Sequence, residues 1–154
     1  LLKRGVSFQI PNEYGKHLAQ IFEALDCTPY DWKIECSTEV WKRVYGQQDE
    51  DLFDNANVVD GVIFDELIKS NIYYVIFTTL KAFPKGTQLS NFDTYEEFLK
   101  SDCELCLLIA DCSYVELYCK NLTTLEKLYD NARAKGYEGI ECIDENDPRT
   151  KMCT

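Results

Sequence analysis

Residues 72–80 read IYYVIFTTL and carry no charge. Side chains of a strand alternate between the two faces of a sheet, so a strand that is apolar at successive positions needs cover on both sides. Strands of this kind lie centrally, with other layers packed over them. The rest of the chain has the material for that cover: 154 residues, 45% of them hydrophobic, with ten Tyr, eight Phe and two Trp, enough for one domain with its own core. The fold class that follows is α+β. We expect a single domain over residues 1–154, with a mixed, mostly antiparallel sheet of about six strands and about three to four helices packed on it.

Around the central run, sheet and helix periods alternate. GVSFQI sets Val6, Phe8 and Ile10 on one face; Pro11-Asn12 ends it, and Leu18, Ile21, Phe22 and Leu25 then recur at helical spacing. Asn12 is a suitable helix cap there. Trp32, Ile34 and Cys36 alternate with Lys33 and Glu35 as a half-buried strand, with residues 40–45 as its hairpin partner. Residues 46–57 (GQQDEDLFDNAN) read as a mobile acidic loop. A short strand, Asp60-Gly61 and a helix with Phe64, Leu67 and Ile68 come next.

After the central run, LKAFPKG reads as the turn that ends it, because Pro84 cannot donate to a ladder and Gly86 relaxes the turn. Thr94-Tyr95-Glu96-Glu97 has the capping-box pattern, with Phe98 and Leu99 expected inward. CELCLLIADC and SYVELYCK read as adjacent antiparallel strands. NLTTLEKLYDNARAKG is the clearest helix, closed by Gly136. YEGIECI is a last strand, and residues 144–154 (DENDPRTKMCT) a polar tail. Strand–helix–strand units thus open and close the chain, at 4–36 and 113–143, and suggest a ferredoxin-like relationship.

Charge narrows the partners. A net charge of −11 opposes direct nucleic-acid binding, which needs cations against phosphate, and opposes anionic membranes. Leu1-Leu2-Lys3-Arg4 leads straight into a strand with no apolar leader segment, and the longest apolar run, 72–77, is too short to cross a bilayer. A cytoplasmic protein is expected, its eight cysteines free thiols acting as small apolar groups.

Chemistry-bearing motifs are sparse. Cys103 and Cys106 have CxxC spacing, but no second pair accompanies them and His17 is the only histidine, so buried thiols are expected rather than a zinc or redox site. The chain lacks GxSxG, GxGxxG and GxxxxGK[ST]. Asp144, Glu145 and Asp147 read as a solvated turn, not as a metal site. No cofactor is expected.

KRGVSFQIPNEYG, YYVIFTTLKAFPKG, TYEEFLKSDCELCLLIADCSYVELYCK and DENDPRTKM together resemble an uncharacterised family of Bacillus-type bacteria and their phages, DUF2691. The resemblance covers nearly the whole chain. It implies one domain in a bacterial or phage cytosol and transfers no catalytic or binding residue.

Two charged features remain. Lys81 and Lys85 follow the central run, and Arg149 and Lys151 follow the last strand. If both turns share one end of the sheet, these cations converge, joined by Asn12 and by the Tyr14 ring, and suit a phosphate-bearing ligand; otherwise they are ordinary turn residues. The acidic stretch 49–66 holds seven acids and no base. The leading expectation is a non-catalytic protein that binds or sequesters a small anionic, nucleotide-like molecule, in a phage–host conflict setting. One alternative is an acidic protein-interaction or inhibitor module; another is a small hydrolase-type enzyme using His17, a Cys or the Asp144–Asp147 cluster.

Overall fold

In the computed structural model, which describes residues 4–153, the elements in chain order are β1 (Gly5–Gln9), α1 (His17–Ile21), β2 (Tyr30–Ile34), β3 (Glu39–Lys42), β4 (Glu50–Asp51), β5 (Val58–Asp60), α2 (Gly61–Ser70), β6 (Tyr73–Pro84), α3 (Tyr95–Lys100), β7 (Leu105–Ala110), β8 (Tyr114–Cys119), α4 (Leu122–Lys135) and β9 (Glu138–Ile143). Among the described residues the strands form one open nine-stranded sheet. The main path runs β4-β3-β6-β7-β8-β1-β9, with β2 also on β6 and β5 on β2. All of these pairings are antiparallel.

β6 is the apolar run, and it is longer than the sequence indicates. One edge is shared: β3 pairs with its first half, Tyr73 to Phe77, and β2 with its second, Leu80 to Pro84. The other edge pairs with β7. A register shift opposite Glu39 and Val40 leaves Ile76 as an extra residue in β6. An extra residue reverses the alternation of side chains. Tyr73 and Val75 therefore join the same core as Leu80 and Ala82, while Phe83 belongs to a second core.

The first core lies under α1, α2 and α4, around Trp32, which is fully buried. Its indole stacks on Phe64 at 4.1 Å and donates from Nε1 to the Cys27 carbonyl at 3.0 Å, so its polar edge is satisfied. α2 starts as expected. The Asp60 side chain accepts from Val62 N at 3.0 Å, and Gly61 sits where a Cβ would come within 2.5 Å of the Cys27, Thr28 and Tyr30 carbonyls. α4 is closed by Gly136 at φ 74°. α3 carries the capping box, Thr94 Oγ1 accepting from Glu97 N at 3.2 Å. Phe98 points inward as expected, whereas Leu99 is half exposed, because so short a helix buries only one stripe.

Several expectations are corrected. Residues 40–45 are not a hairpin partner of β2; both strands pair with β6 in tandem. The loop reading of 46–57 gives way to β4 and a tight turn in which Leu52 and Phe53 are buried. The first helix is one short turn, with Lys16 rather than Asn12 at its cap; Tyr73 Oη accepts from the Leu18 and Ala19 N–H groups instead. β8–α4–β9 forms a split unit with β1 between two parallel strands. β1 and β2 have three strands between them, so the two ends of the chain are not ferredoxin-like repeats. Among the described residues the strand count is nine rather than about six; the two-residue β4 is too short to leave a periodic signal, whereas β5 is the short strand expected before Asp60-Gly61. The reading of the first residues as leaderless falls partly on residues 1–3, outside the described ones. No described helix is long and apolar enough to cross a membrane.

The polar-tail reading of 144–154 also changes. Up to Cys153 this segment is a strap across the second face of the sheet; Thr154 is outside the described residues. Met152 is fully buried in the second core. Lys151 forms a bridge with Thr94, Tyr95 N donates to the Thr150 carbonyl at 2.7 Å, and Met152 N donates to Asp93 O at 2.9 Å. Arg4 lies 4.3 Å from the Tyr95 ring centre and donates to the Glu145 carbonyl at 2.8 Å and the Arg149 carbonyl at 3.1 Å. Met152, the backbone bonds to 93–95 and Arg4 thus anchor the segment together. Met152→Ala is expected to lower stability by about 3 kcal/mol, the range of buried Met truncations, as measured by urea denaturation.

Candidate functional site

The six residues expected to gather around an anion fall into separate places. Lys81 is not in a turn. It pairs with Cys106 across β6–β7 and with Lys33 across β2–β6. The bulge at Ile76 puts it on the strap side of the sheet, where it is 1% exposed. Its Nζ lies 2.8 Å from Glu35 Oε1, donates to the Phe92 carbonyl at 2.7 Å and sits 3.9 Å from the Phe92 ring centre. A buried ammonium needs such partners, and these leave it no role at a surface. Lys33 lies 4.0 Å from the same Glu35 oxygen and donates to Asn91 Oδ1.

Asn12 and Tyr14 sit at the opposite end of β6 from Lys85. Gly15 bridges to Tyr73, whereas Lys85 follows Pro84, roughly 35 Å away along a strand of this length. Tyr74 Oη donates to Asn12 Oδ1, and Tyr14 Oη donates to Asp49 Oδ2 while Arg43 stacks 4.1 Å from its ring centre. The hydrogen bond to Asp49 raises the Tyr14 phenol above its ordinary value. Lys85 pairs with Asp60. Arg149 forks onto Asp147, at 2.8 and 2.9 Å, which holds that carboxyl below its usual range. Arg149 and Lys151 do come together, in a groove of about 470 Å³ between the strap and β7–β8 that also contains Tyr114 and Glu116.

A larger groove, of about 820 Å³, lies where the acidic stretch folds. It opens because β3 and β2 leave the same edge of β6 and each adds a further strand, β4 and β5. Trp41 and Lys42 of β3, Glu50 and Asp51 of β4, Val58 to Asp60 of β5, and Ile63 and Leu67 of α2 form its walls, with the turn 52–56 between them. Asp51 shapes the turn by accepting from Phe53 N at 3.2 Å and Asn55 N at 2.7 Å. Asp54 and Asn55 adopt φ of 51° and 57°, a region that Asp and Asn tolerate. Trp41 is 37%, Val58 48% and Ile63 54% exposed, so this is an apolar groove with an acidic rim.

The acids of 49–66 are not one free phosphate-like array. Asp49 accepts from Tyr14, Asp51 holds its turn, Asp60 caps α2 and pairs with Lys85, and Asp65 pairs with Lys69. Sequence reasoning missed the groove because Trp41, Val58 and Ile63 belong to three separate elements. One signal was available: Leu52 and Phe53, bulky and adjacent within an acidic run, require burial and so imply that the run is anchored.

The other candidates are structural in their contacts. Burial pushes the Cys27 and Cys103 thiols up to about 12, and Cys119 up to about 11; Cys106, inside β7, is also raised well above its ordinary value by burial. These thiols are weak nucleophiles. His17 is buried, its Nε2 bonded to the Glu13 carbonyl at 2.8 Å and its Nδ1 without a partner. Asp144 accepts from Asn146 N within its own turn at 2.9 Å. Among the described residues no group of three or more His, Cys, Asp or Glu is placed to hold a metal ion.

The family model of DUF2691, described as "Protein of unknown function", matches residues 3–153. The chain is also similar to a Bacillus subtilis (strain 168) protein named "Uncharacterized protein YncE", with 49% identity over 153 residues, covering 98% of this chain and 99% of that protein. No solved structure matches.

Glu35→Ala is expected to cost about 3 kcal/mol in urea denaturation, since it leaves the buried Lys81 ammonium without its counter-charge. Combining Lys81→Met with Glu35→Leu is expected to recover most of that loss. A purely additive double variant would show that the two side chains are not coupled.

Proposed function

This chain belongs to the DUF2691 family, and from its own geometry we propose that it is a non-catalytic protein-interaction module whose docking surface is the groove between β4, β5 and α2. The observation that carries this reading is the exposure of Trp41, Val58 and Ile63 together in one concavity. Exposed apolar groups gathered in a patch with a polar rim mark interaction surfaces, and Trp is the residue most often dominant in them. The raised thiols and the contacts of His17 favour binding over catalysis. The acidic charge and the free cysteines favour a cytoplasmic setting.

Trp41→Ala combined with Ile63→Ser is expected to reduce capture of the bound protein about tenfold or more, with stability lowered by only about 1 kcal/mol because both side chains are partly exposed. Quantitative affinity capture from the host, wild type against variant and with thermal melts of both, measures this. Equal recovery by the two proteins would reject the reading.

A second reading keeps the small anion. It is supported by Arg149, Lys151 and the exposed Tyr114 around the strap groove, and it is weakened by Glu116 and Asp147 beside them. Sequestration of a nucleotide-like signal in phage–host conflict belongs to this reading. Native mass spectrometry of protein from its own host, with retained anion lost in Lys151→Ala, would favour it; a clean apo mass would count against it.

A further inference from the structure

A partner for the groove between β4, β5 and α2, taking that groove as the docking surface, must match its charge as well as its shape. Four carboxylates, Glu50, Asp51, Asp54 and Asp60, line it with one ammonium, Lys42; Lys85 pairs with Asp60 from outside the lining, and the balance stays acidic. The chain as a whole carries −11, so an acidic segment or a second copy of this chain would meet repulsion at close range. Val58 and Ile63 gain from apolar contact, so a segment that carries aliphatic groups beside its cation fits better than a purely hydrophilic cation.

The register of the β3–β4 hairpin shows where a cation belongs. Trp41 stands directly opposite Asp51, and Lys42 opposite Glu50. Directly opposed side chains on antiparallel strands are close neighbours. An indole opposed by a carboxylate attracts a cation to its ring face while the acid accepts from the cation's N–H groups. Successive side chains of a strand point to opposite faces, so Lys42 and Glu50, 3.6 Å apart with side chains 28% and 56% exposed, form their own pair on the face away from Trp41 and Asp51. An ion pair that long and that exposed is weak, and it leaves the Trp41–Asp51 pair to set the place of a partner's cation.

We infer that the occupant is a segment of another protein in which lysine or arginine alternates with aliphatic residues. A cation of the segment lies against Trp41 and Asp51, which stand opposite each other, and its aliphatic groups meet Val58 and Ile63.

Calorimetric titration of the full chain with three unstructured synthetic peptides tests this: lysine alternating with valine, glutamate alternating with valine, and serine alternating with valine. The lysine–valine peptide is expected to bind most tightly and to weaken as salt is raised. Trp41→Ala is expected to weaken it about tenfold. Circular dichroism and a thermal melt establish that the variant is folded. If the serine or glutamate peptide binds as tightly in a Trp41-dependent manner, the cationic partner is overturned while the docking surface stands. If no peptide binds in a Trp41-dependent manner, both are overturned.

Discussion

The structure depends on how the backbone hydrogen bonds of β6 are divided. Every buried N–H and C=O of a central strand needs a partner, and β6 is long enough that no single neighbour covers one of its edges. β3 covers the first half of that edge and β2 the second. Each of these then carries a short strand of its own, β4 and β5. Two pairs leaving one edge side by side leave a concavity between their outer strands, and the turn 52–56 and α2 close its floor and end. The groove of about 820 Å³ is thus a consequence of strand pairing, and Trp41 is exposed in it because only the two-residue β4 lies beyond β3 on the main path.

The bulge at Ile76 is the second constraint. It lets one strand serve two cores, since the residues before and after it can both face the helices without sharing a parity. It also sends Lys81 to the strap side, where a basic residue is tolerated only through its contacts with Glu35, the Phe92 carbonyl and the Phe92 ring. The strap then becomes necessary. Phe98, Tyr118 and Ile143 on that face need cover, and no long helix lies there; Met152 and the segment around Phe92 supply it. A chain that looks top-heavy in helices on one face is balanced by irregular segments on the other.

Much of this was legible in the residues. The alternation of Val6 and Phe8, the capping box at Thr94, the Gly136 cap and the adjacency of β7 and β8 are local signals, and they appear where expected. Of the candidate site, Arg149 and Lys151 were brought together, but Lys81 was misread. Leu80-Lys81-Ala82-Phe83 looks like the frayed end of a strand when the partner strand is unseen, and Glu35 is distant in sequence. Asn12 and Tyr14 were grouped with the lysines on the assumption that turns share an end; the length of β6 separates them.

The amino-acid sequence by itself determined that residues 73–80 lie in an inner strand of a sheet, that helices pack against that sheet and that the chain is strongly acidic, because hydrophobic periodicity and charge are properties of neighbouring residues. Tertiary structure alone decided that Lys81 is buried, that residues 144–153 are a strap and that Trp41, Val58 and Ile63 share one groove. Those outcomes rest on pairings between residues far apart in the chain, and a strand's period carries no label for the partner it will meet or for the residue at which its phase will slip.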